Sequence, residues 1–199
     1  VRRNAALVFG FMNSKGAVKM LARAMSDRDE GVRHYALEAL SRQGNPEAQQ
    51  ELVFMTNSGV GSEEVFALQA LGAARATECN DTFRYKLANA VHMETKLAAA
   101  WALGRTGSKE GVSLAKRALM NPTVRENDMK DPIADQVARV RIMAATALGA
   151  MGDPSTLKVL ASVMSDDADP RLVQAAARAI VEILRPLDRV GLPFGGLKE

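Results

Sequence analysis

The sequence is poor in cysteine and in aromatic residues, and it contains no long apolar run. Its single cysteine, Cys79, excludes an internal disulfide framework and any zinc site built from several cysteines. Aromatic residues are limited to one Trp, two Tyr and six Phe among 199 residues. Uncharged stretches fall well short of the roughly 18 apolar residues that a membrane-spanning helix requires, so we expect no membrane insertion.

An excess of charge of one sign is also missing, since 26 basic residues face 23 acidic ones and the formal net charge is +3. Such a balance permits binding to an acidic partner without requiring it. The composition, 47% hydrophobic and 25% charged, is typical of a folded chain. Alanine is abundant and β-branched runs are few, which favours closely packed helices over sheets.

An internal repeat organises the chain. Similar segments begin near residues 1, 32, 63, 95, 140 and 172, so most spacings are 31 or 32 residues and one is 45. The fifth position of every segment is alanine: Ala5, Ala36, Ala67, Ala99, Ala144 and Ala176. The ninth position is always bulky and apolar: Phe9, Leu40, Leu71, Leu103, Leu148 and Ile180. A fixed period of this length predicts a solenoid of stacked units.

Each unit is predicted to contain two helices. The first carries apolar residues at the spacing of a one-sided helix and ends at a glycine such as Gly44, Gly107 or Gly152. The second begins with an N-cap residue before proline, as at Asn45-Pro46 and Asp153-Pro154. Units of this size cannot bury their apolar faces alone, so they must stack on each other.

The spacing of Val32, Arg33, Ala36, Leu40 and Gly44, and its recurrence from Val140 to Pro154, resembles HEAT repeats. The pattern is similar in particular to the short HEAT-like repeats named after phycobilisome lyases. The resemblance implies an all-α, right-handed α-solenoid of about five and a half two-helix repeats. It also implies a scaffold, adaptor or binding surface, although a few members of this group are enzymes.

We expect the repeat array to cover residues 1–185, with an insertion at about 121–135 and a tail with Pro and Gly residues at 186–199. The insertion should lengthen the first helix of the fifth unit by about two turns, with Asp131 as its N-cap. The third unit is degenerate, because Arg75 stands where glycine is usual. Neither end carries a polar capping repeat, so we expect the array to be part of a longer chain.

Residues that could carry catalysis are few. His34 and His92 lie in different units, and neither has a second histidine or a cysteine at the spacing of metal ligands. Cys79 aligns with small residues in the other units, which indicates a packing role. The acidic stretches 26–30 and 165–169 lack the pattern of a calcium-binding loop and are better explained as helix caps. We therefore expect a protein that is not an enzyme and that needs no cofactor.

Trp101 is the first candidate for partner binding. It occupies the seventh position of its unit, where most other units carry polar residues, so this tryptophan is expected on a face that meets solvent. The inserted segment could cover it, it could turn into the core, or it could anchor a partner on the outer face of the solenoid. Tryptophan is among the commonest hot spots of protein interfaces.

A second candidate lies on the second helices, which line the concave surface in a HEAT solenoid. One face of these helices combines aromatic residues at its centre with basic residues at its ends: Lys19, Arg23, Phe54, Tyr85, Arg117 and Lys158. We call these six residues the second-helix stripe. The stripe suits an extended peptide or a helix of another protein. Phe54 and Tyr85 could instead belong to the core.

These features favour a non-enzymatic interaction scaffold or adaptor that binds another protein or a peptide segment through its concave face. The first alternative is a nucleic-acid-binding protein similar to the HEAT-like alkylpurine DNA glycosylases, which need several positioned aromatics and a strongly basic face. A net charge of +3 and one tryptophan fit that alternative poorly. The second alternative, a bilin-lyase-type subunit, depends only on the type of repeat.

Overall fold

The computed structural model of the protein describes residues 1–12, 14–59, 61–125 and 130–185, which form eleven α-helices and no β-strand. The first helices of the units are α1 (Arg2–Phe11), α3 (Glu30–Arg42), α5 (Ser62–Ala73), α7 (Met93–Arg105), α9 (Ile133–Met151) and α11 (Pro170–Leu184). The second helices are α2 (Lys15–Ala24), α4 (Pro46–Ser58), α6 (Asn80–Asn89), α8 (Val112–Met120) and α10 (Leu157–Asp166). This alternation confirms the predicted all-α solenoid. The predicted tail, 186–199, lies outside the described residues.

The predicted helix ends are present at several units. The Asn45 side chain accepts a hydrogen bond of 2.8 Å from the Ala48 N–H and so caps α4. Gly44, Gly107 and Gly152 adopt positive φ angles of 75°, 94° and 60° after first helices. In the degenerate third unit Arg75 takes the same left-handed conformation, with a φ of 55°. The backbone turn is therefore kept even where glycine is missing.

The insertion lengthens α9 as predicted, to 19 residues. The prediction that Asp131 caps this helix is wrong, because the N-cap residue is Pro132 and no side chain caps the helix. The Asp131 carboxylate instead accepts hydrogen bonds from the guanidinium groups of Arg125 and Arg139, both at 2.9 Å. Two bonds from charged donors stabilise a carboxylate more than one backbone N–H does.

Successive first helices pack directly on each other through very small residues. A Cβ atom on Gly72 would lie 2.8 Å from the Ala102 Cα, and one on Gly149 would lie 2.8 Å from the Ala179 Cα. Both contacts join the tenth position of one unit to the eighth position of the next. Glycine and alanine at these positions let the helix backbones come close together.

The second helices lie in a separate layer and pack against first helices of their own or the following unit rather than against each other. The first-helix layer is consequently the more closely spaced of the two. A two-layer array curves toward its more closely spaced layer, so the first helices line the concave side. The expectation that the second helices line the concave surface is therefore wrong for this protein.

The apolar core follows the array and divides into two clusters. The first contains buried residues from α1 to α7, including Leu40 and Leu71. The second contains buried residues from α7 to α11, including Leu148 and Leu160. Both clusters share packing residues on or near α7, among them Leu87 and Trp101. Within the described ranges, none of the helices has the length and apolar character that crossing a membrane requires.

Candidate partner-binding groove

The concave side of the first-helix layer holds a groove with a cavity of about 600 Å³ at its centre. We call this the central cavity. Five successive first helices, from α3 to α11, contribute to it. Its lining residues are Glu38, Phe66, Gln69, Ala70, Ala73, Leu97, Ala98, Trp101, Arg105, Ile142, Met143, Thr146, Arg178 and Glu182.

The lining of this cavity supports the curvature. Neighbouring helices lie about 8–10 Å apart, so α3 and α11 would be separated by roughly 35 Å in a flat layer. Glu38 on α3 and Arg178 on α11 nevertheless line the same cavity. This shared lining supports a layer that bends around the cavity.

Trp101 lies in the middle of the groove, on α7. Its ring covers Gly72 of α5, since a Cβ atom on Gly72 would lie 2.8 Å from the Trp101 Cζ3 atom. The Arg105 guanidinium carbon lies 5.7 Å from the centre of the ring, within the range of a cation–π contact. The tryptophan is half-buried, so part of the ring remains available to a partner.

A second cavity, of about 450 Å³, adjoins the central cavity on the side where the first helices begin. We call it the insertion cavity, because Arg125 and Asp131 of the inserted segment form part of its wall. Its lining residues are Gly61, Ser62, Val65, Phe66, Gln69, His92, Glu94, Thr95, Arg125, Asp131, Arg139 and Met143. Phe66, Gln69 and Met143 line both cavities, so the two lie side by side along the groove.

Two acidic and two basic side chains form an ionic cluster at the wall of the insertion cavity. Glu94, only 9% exposed, lies 3.5 Å from the Arg125 guanidinium and 3.2 Å from that of Arg139. Asp131 lies 2.9 Å from both arginines. Burial lowers the pKa of Arg139, but hydrogen bonds to Asp131 and Glu94 outweigh it and the pKa is raised. The charges of the cluster are thus balanced within the protein.

The groove continues toward α3 through a stacked pair of rings. The His34 ring lies 3.9 Å from the Phe66 ring, with an angle of 15° between the two planes. Burial lowers the pKa of His34, although the nearby Glu30 carboxylate opposes this effect. His34 and Phe66 together line a further, smaller cavity at the α3 end of the groove.

The second-helix stripe lies outside the groove. All six of its residues are exposed, with Phe54 62% and Tyr85 60% accessible to solvent, so neither aromatic residue belongs to the core. The closely spaced layer is that of the first helices, and for this reason the stripe is not concave. For the same reason Trp101 lies in the groove. The expectation that it lies on an outer face is wrong. Whether any of these residues binds a partner stays a prediction.

Phe66 and Met143 line both cavities and were not recognised in the sequence. They occupy the fourth position of their units, one turn before the seventh position that Trp101 occupies. Tyr35 holds the fourth position in the second unit. Reading the fourth and seventh positions together as one helix face would have revealed this lining, because residues three apart are neighbours on a helix.

The residues considered for catalysis lie apart from each other. Cys79 is buried, and burial raises the pKa of its thiol to about 11. Asp29 and Asp169 of the acidic stretches cap α3 and α11, accepting hydrogen bonds from the backbone N–H groups of Val32 and Arg171. Over the described parts of the chain, no group of three or more His, Cys, Asp or Glu residues is arranged to hold a metal ion.

Comparison with known proteins agrees with this architecture. The family described as HEAT repeats matches residues 1–64 and 132–186, which is more than half of the chain. The unmatched part contains most of the degenerate third unit, the fourth unit and most of the insertion. No curated protein matches the sequence. On the family match and the stacked helix pairs, the protein belongs to the HEAT-repeat family.

Proposed function

We propose that this protein is a non-enzymatic interaction module that binds a segment of another protein in the groove of its first helices. The observation that carries the proposal is the groove itself, which has an apolar centre with Trp101 and charged residues along its rim. Protein interfaces have this arrangement, and tryptophan contributes strongly to their affinity. HEAT repeats commonly mediate such contacts.

The charges around the central cavity favour a polypeptide over a nucleic acid. Arg178 lies 3.7 Å from Glu182, and Glu38 lies 3.6 Å from Arg42. Nucleic-acid binding depends on cations that neutralise phosphates, and acidic partners beside the arginines reduce that attraction. A groove of mixed charge with an apolar centre suits a protein segment that carries both signs.

The finer relation to the phycobilisome-lyase type of repeat, and the bilin chemistry that it implies, depends on the repeat pattern alone. The same holds for the likeness to alkylpurine DNA glycosylases. The absence of catalysis is part of our proposal. Neither alternative gains support from the mixed charges of the groove.

The proposal can be tested by capturing proteins from a lysate of the source cells with the purified protein as bait. A groove variant, Gln69→Arg with Thr146→Arg, places two long charged side chains at exposed positions of the central cavity. A control variant, Phe54→Ala with Tyr85→Ala, removes the exposed aromatic residues of the second-helix stripe. Circular dichroism should first show that both variants keep the helix content of the wild type.

We expect a stoichiometric protein that the wild type and the control variant retain and the groove variant loses. A Trp101→Ala variant should weaken the purified complex by about 2 kcal/mol or more, roughly a thirtyfold change in Kd. Loss of the partner in the control variant alone would indicate that the binding surface lies on the second helices and not in the groove. Capture of nucleic acid that salt releases would support the nucleic-acid alternative instead.

A further inference from the structure

The insertion cavity is the part of the groove that the other units do not reproduce, since Arg125 and Asp131, which belong to the inserted segment, form part of its wall. It adjoins the central cavity and shares Phe66 and Met143 with it. A segment bound in the central cavity therefore lies next to it. At about 450 Å³ the insertion cavity lies within the range of pockets that enclose small ligands.

The lining of the insertion cavity favours an apolar, uncharged occupant. Val65, Phe66 and Met143 supply its apolar surface. The four charges of the ionic cluster are already paired with each other at distances of 2.9–3.5 Å. A charged side chain entering the cavity would lose water and find no uncompensated charge to replace it. An apolar side chain gains by leaving water and disturbs no ion pair.

The wall of the cavity is held in place by a buried amide. Gln136, only 1% exposed, accepts a hydrogen bond of 2.8 Å from the Arg125 backbone N–H. Its Nε2 donates another, also of 2.8 Å, to the Asp131 carbonyl oxygen. Gln136 thereby fixes two described residues of the insertion, Arg125 and Asp131, to α9 and holds them at the wall of the cavity.

We propose that the insertion cavity receives a large apolar side chain that anchors the bound protein segment, so that the insertion determines which segments bind. This inference rests on the proposed function and names the chemistry of its partner. The occupant is an aromatic or long aliphatic side chain with uncharged neighbours. The central cavity holds the part of the segment that adjoins this anchor.

The test uses three blocked tripeptides, Ac-Ala-Phe-Ala-NH₂, Ac-Ala-Lys-Ala-NH₂ and Ac-Ala-Asp-Ala-NH₂, titrated into protein with ¹³C-labelled methionine methyl groups. A Met143→Leu variant assigns the Met143 signal. We expect a saturable shift of this signal with the Phe peptide and at least tenfold weaker binding of the charged peptides. Equal or stronger binding of a charged peptide, or no saturable shift with the Phe peptide, would overturn the inference.

A pair of matched variants locates the binding. Val65→Phe fills the insertion cavity, whereas Val53→Phe adds the same volume to a half-buried position of α4 outside the groove. Only Val65→Phe should abolish the Met143 shift. Val65→Phe could bind the Phe peptide and the captured protein normally while the groove variant loses that protein. In that case the insertion cavity is not the anchor site, and the proposed function stands. If the groove variant also retains the captured protein, the proposed anchor and the proposed function are both wrong.

Discussion

At the scale of single residues, the closeness of the first helices depends on glycine at the tenth position of a unit. A Cβ atom on Gly72 would come within 2.9 Å of three atoms of α7: the Ala102 Cα, the Ala102 Cβ and the Trp101 Cζ3. Separations this short require the two helices to move apart. The same glycine therefore sets both the helix spacing and the position of the tryptophan ring.

We predict that Gly72→Ala destabilises the protein by about 1–3 kcal/mol, because its new methyl group meets α7. Gly16→Ala is the matched control, since Gly16 lies in α2 with no atom near its Cβ position. Alanine there should stabilise the helix by up to about 1 kcal/mol. Urea unfolding followed by circular dichroism measures both changes. Equal effects of the two substitutions would refute the role assigned to Gly72.

Arg75 is the one described residue other than glycine with a positive φ angle, at 55°. A side chain in this conformation is strained because its Cβ approaches the carbonyl oxygen. The other three described positions that turn in this way after first helices carry glycine: Gly44, Gly107 and Gly152. The degenerate third unit therefore carries a conformational strain energy at this turn that the three units with glycine avoid.

We expect Arg75→Gly to be more stable than Arg75→Ala by about 1 kcal/mol. Both substitutions remove the guanidinium group and its interactions, whereas only glycine relieves the strain of the Cβ. Thermal unfolding of the two variants under the same conditions measures the difference. An alanine variant as stable as the glycine variant would show that the turn is not strained.

At the scale of helices and units, ion pairs bridge several junctions of the array. The Arg3 guanidinium on α1 donates hydrogen bonds of 2.8 and 2.9 Å to the Asp29 carboxylate, which also caps α3. Arg84 on α6 contacts Glu110 before α8 at 2.9 Å. Exposed pairs of this kind contribute little each to stability.

The pKa of Asp29 should depend on its contact with Arg3, the first of these ion pairs. The hydrogen bond from Arg3 lowers this pKa from its ordinary 3.8 to about 2. Since the folded pKa lies below the unfolded one, the stabilisation is complete above pH 4 and is lost as the pH falls toward 2. Arg3→Ala should move the pKa of Asp29 up toward 3.8 and so diminish the stability that is lost at low pH.

Carboxyl ¹³C NMR titration of the wild type and of Arg3→Ala measures this change. Asp167 serves as an internal control, because its pKa is lowered mainly by a hydrogen bond from the Asp169 backbone and secondarily by Arg141, both far from Arg3 in the array. Its titration should be the same in both proteins. An Asp29 signal that titrates identically with and without Arg3 would contradict the assigned cause.

At the scale of the whole molecule, the core is a row of contacts between neighbouring units rather than one central nucleus. Its two clusters meet at α7, and each is formed by helices that follow one another in the chain. In such arrays stability is close to a sum of unit and interface contributions. A defect in one cluster should therefore weaken that part of the array first.

Leu40→Ala and Leu148→Ala test this expectation, since each removes a fully buried leucine from a different cluster. Each substitution should cost about 2–5 kcal/mol. Native-state hydrogen exchange should accelerate in α1–α5 for Leu40→Ala and in α9–α11 for Leu148→Ala. Uniform acceleration along the chain in both variants would indicate a single cooperative unit instead.

Much of the local structure could be predicted from the sequence. The six repeats predicted the helix pairs, and Asn45 and the glycines at 44, 107 and 152 predicted where helices begin and end. These features depend on residues close together in the chain. The binding surface could not be predicted in this way, because Phe66, Trp101 and Met143 come from three different units and meet only when those units stack.

The sequence by itself determined that this protein is a HEAT-type array of helix pairs, since a period of 31 or 32 residues with alanine at its fifth position allows few other arrangements. Only the tertiary structure decided which layer is concave. Curvature is the sum of small rotations between units, and these depend on distances such as that between Gly72 and Ala102 on successive first helices. Because that spacing is shorter than the spacing of the second helices, the groove and Trp101 lie on the first-helix side.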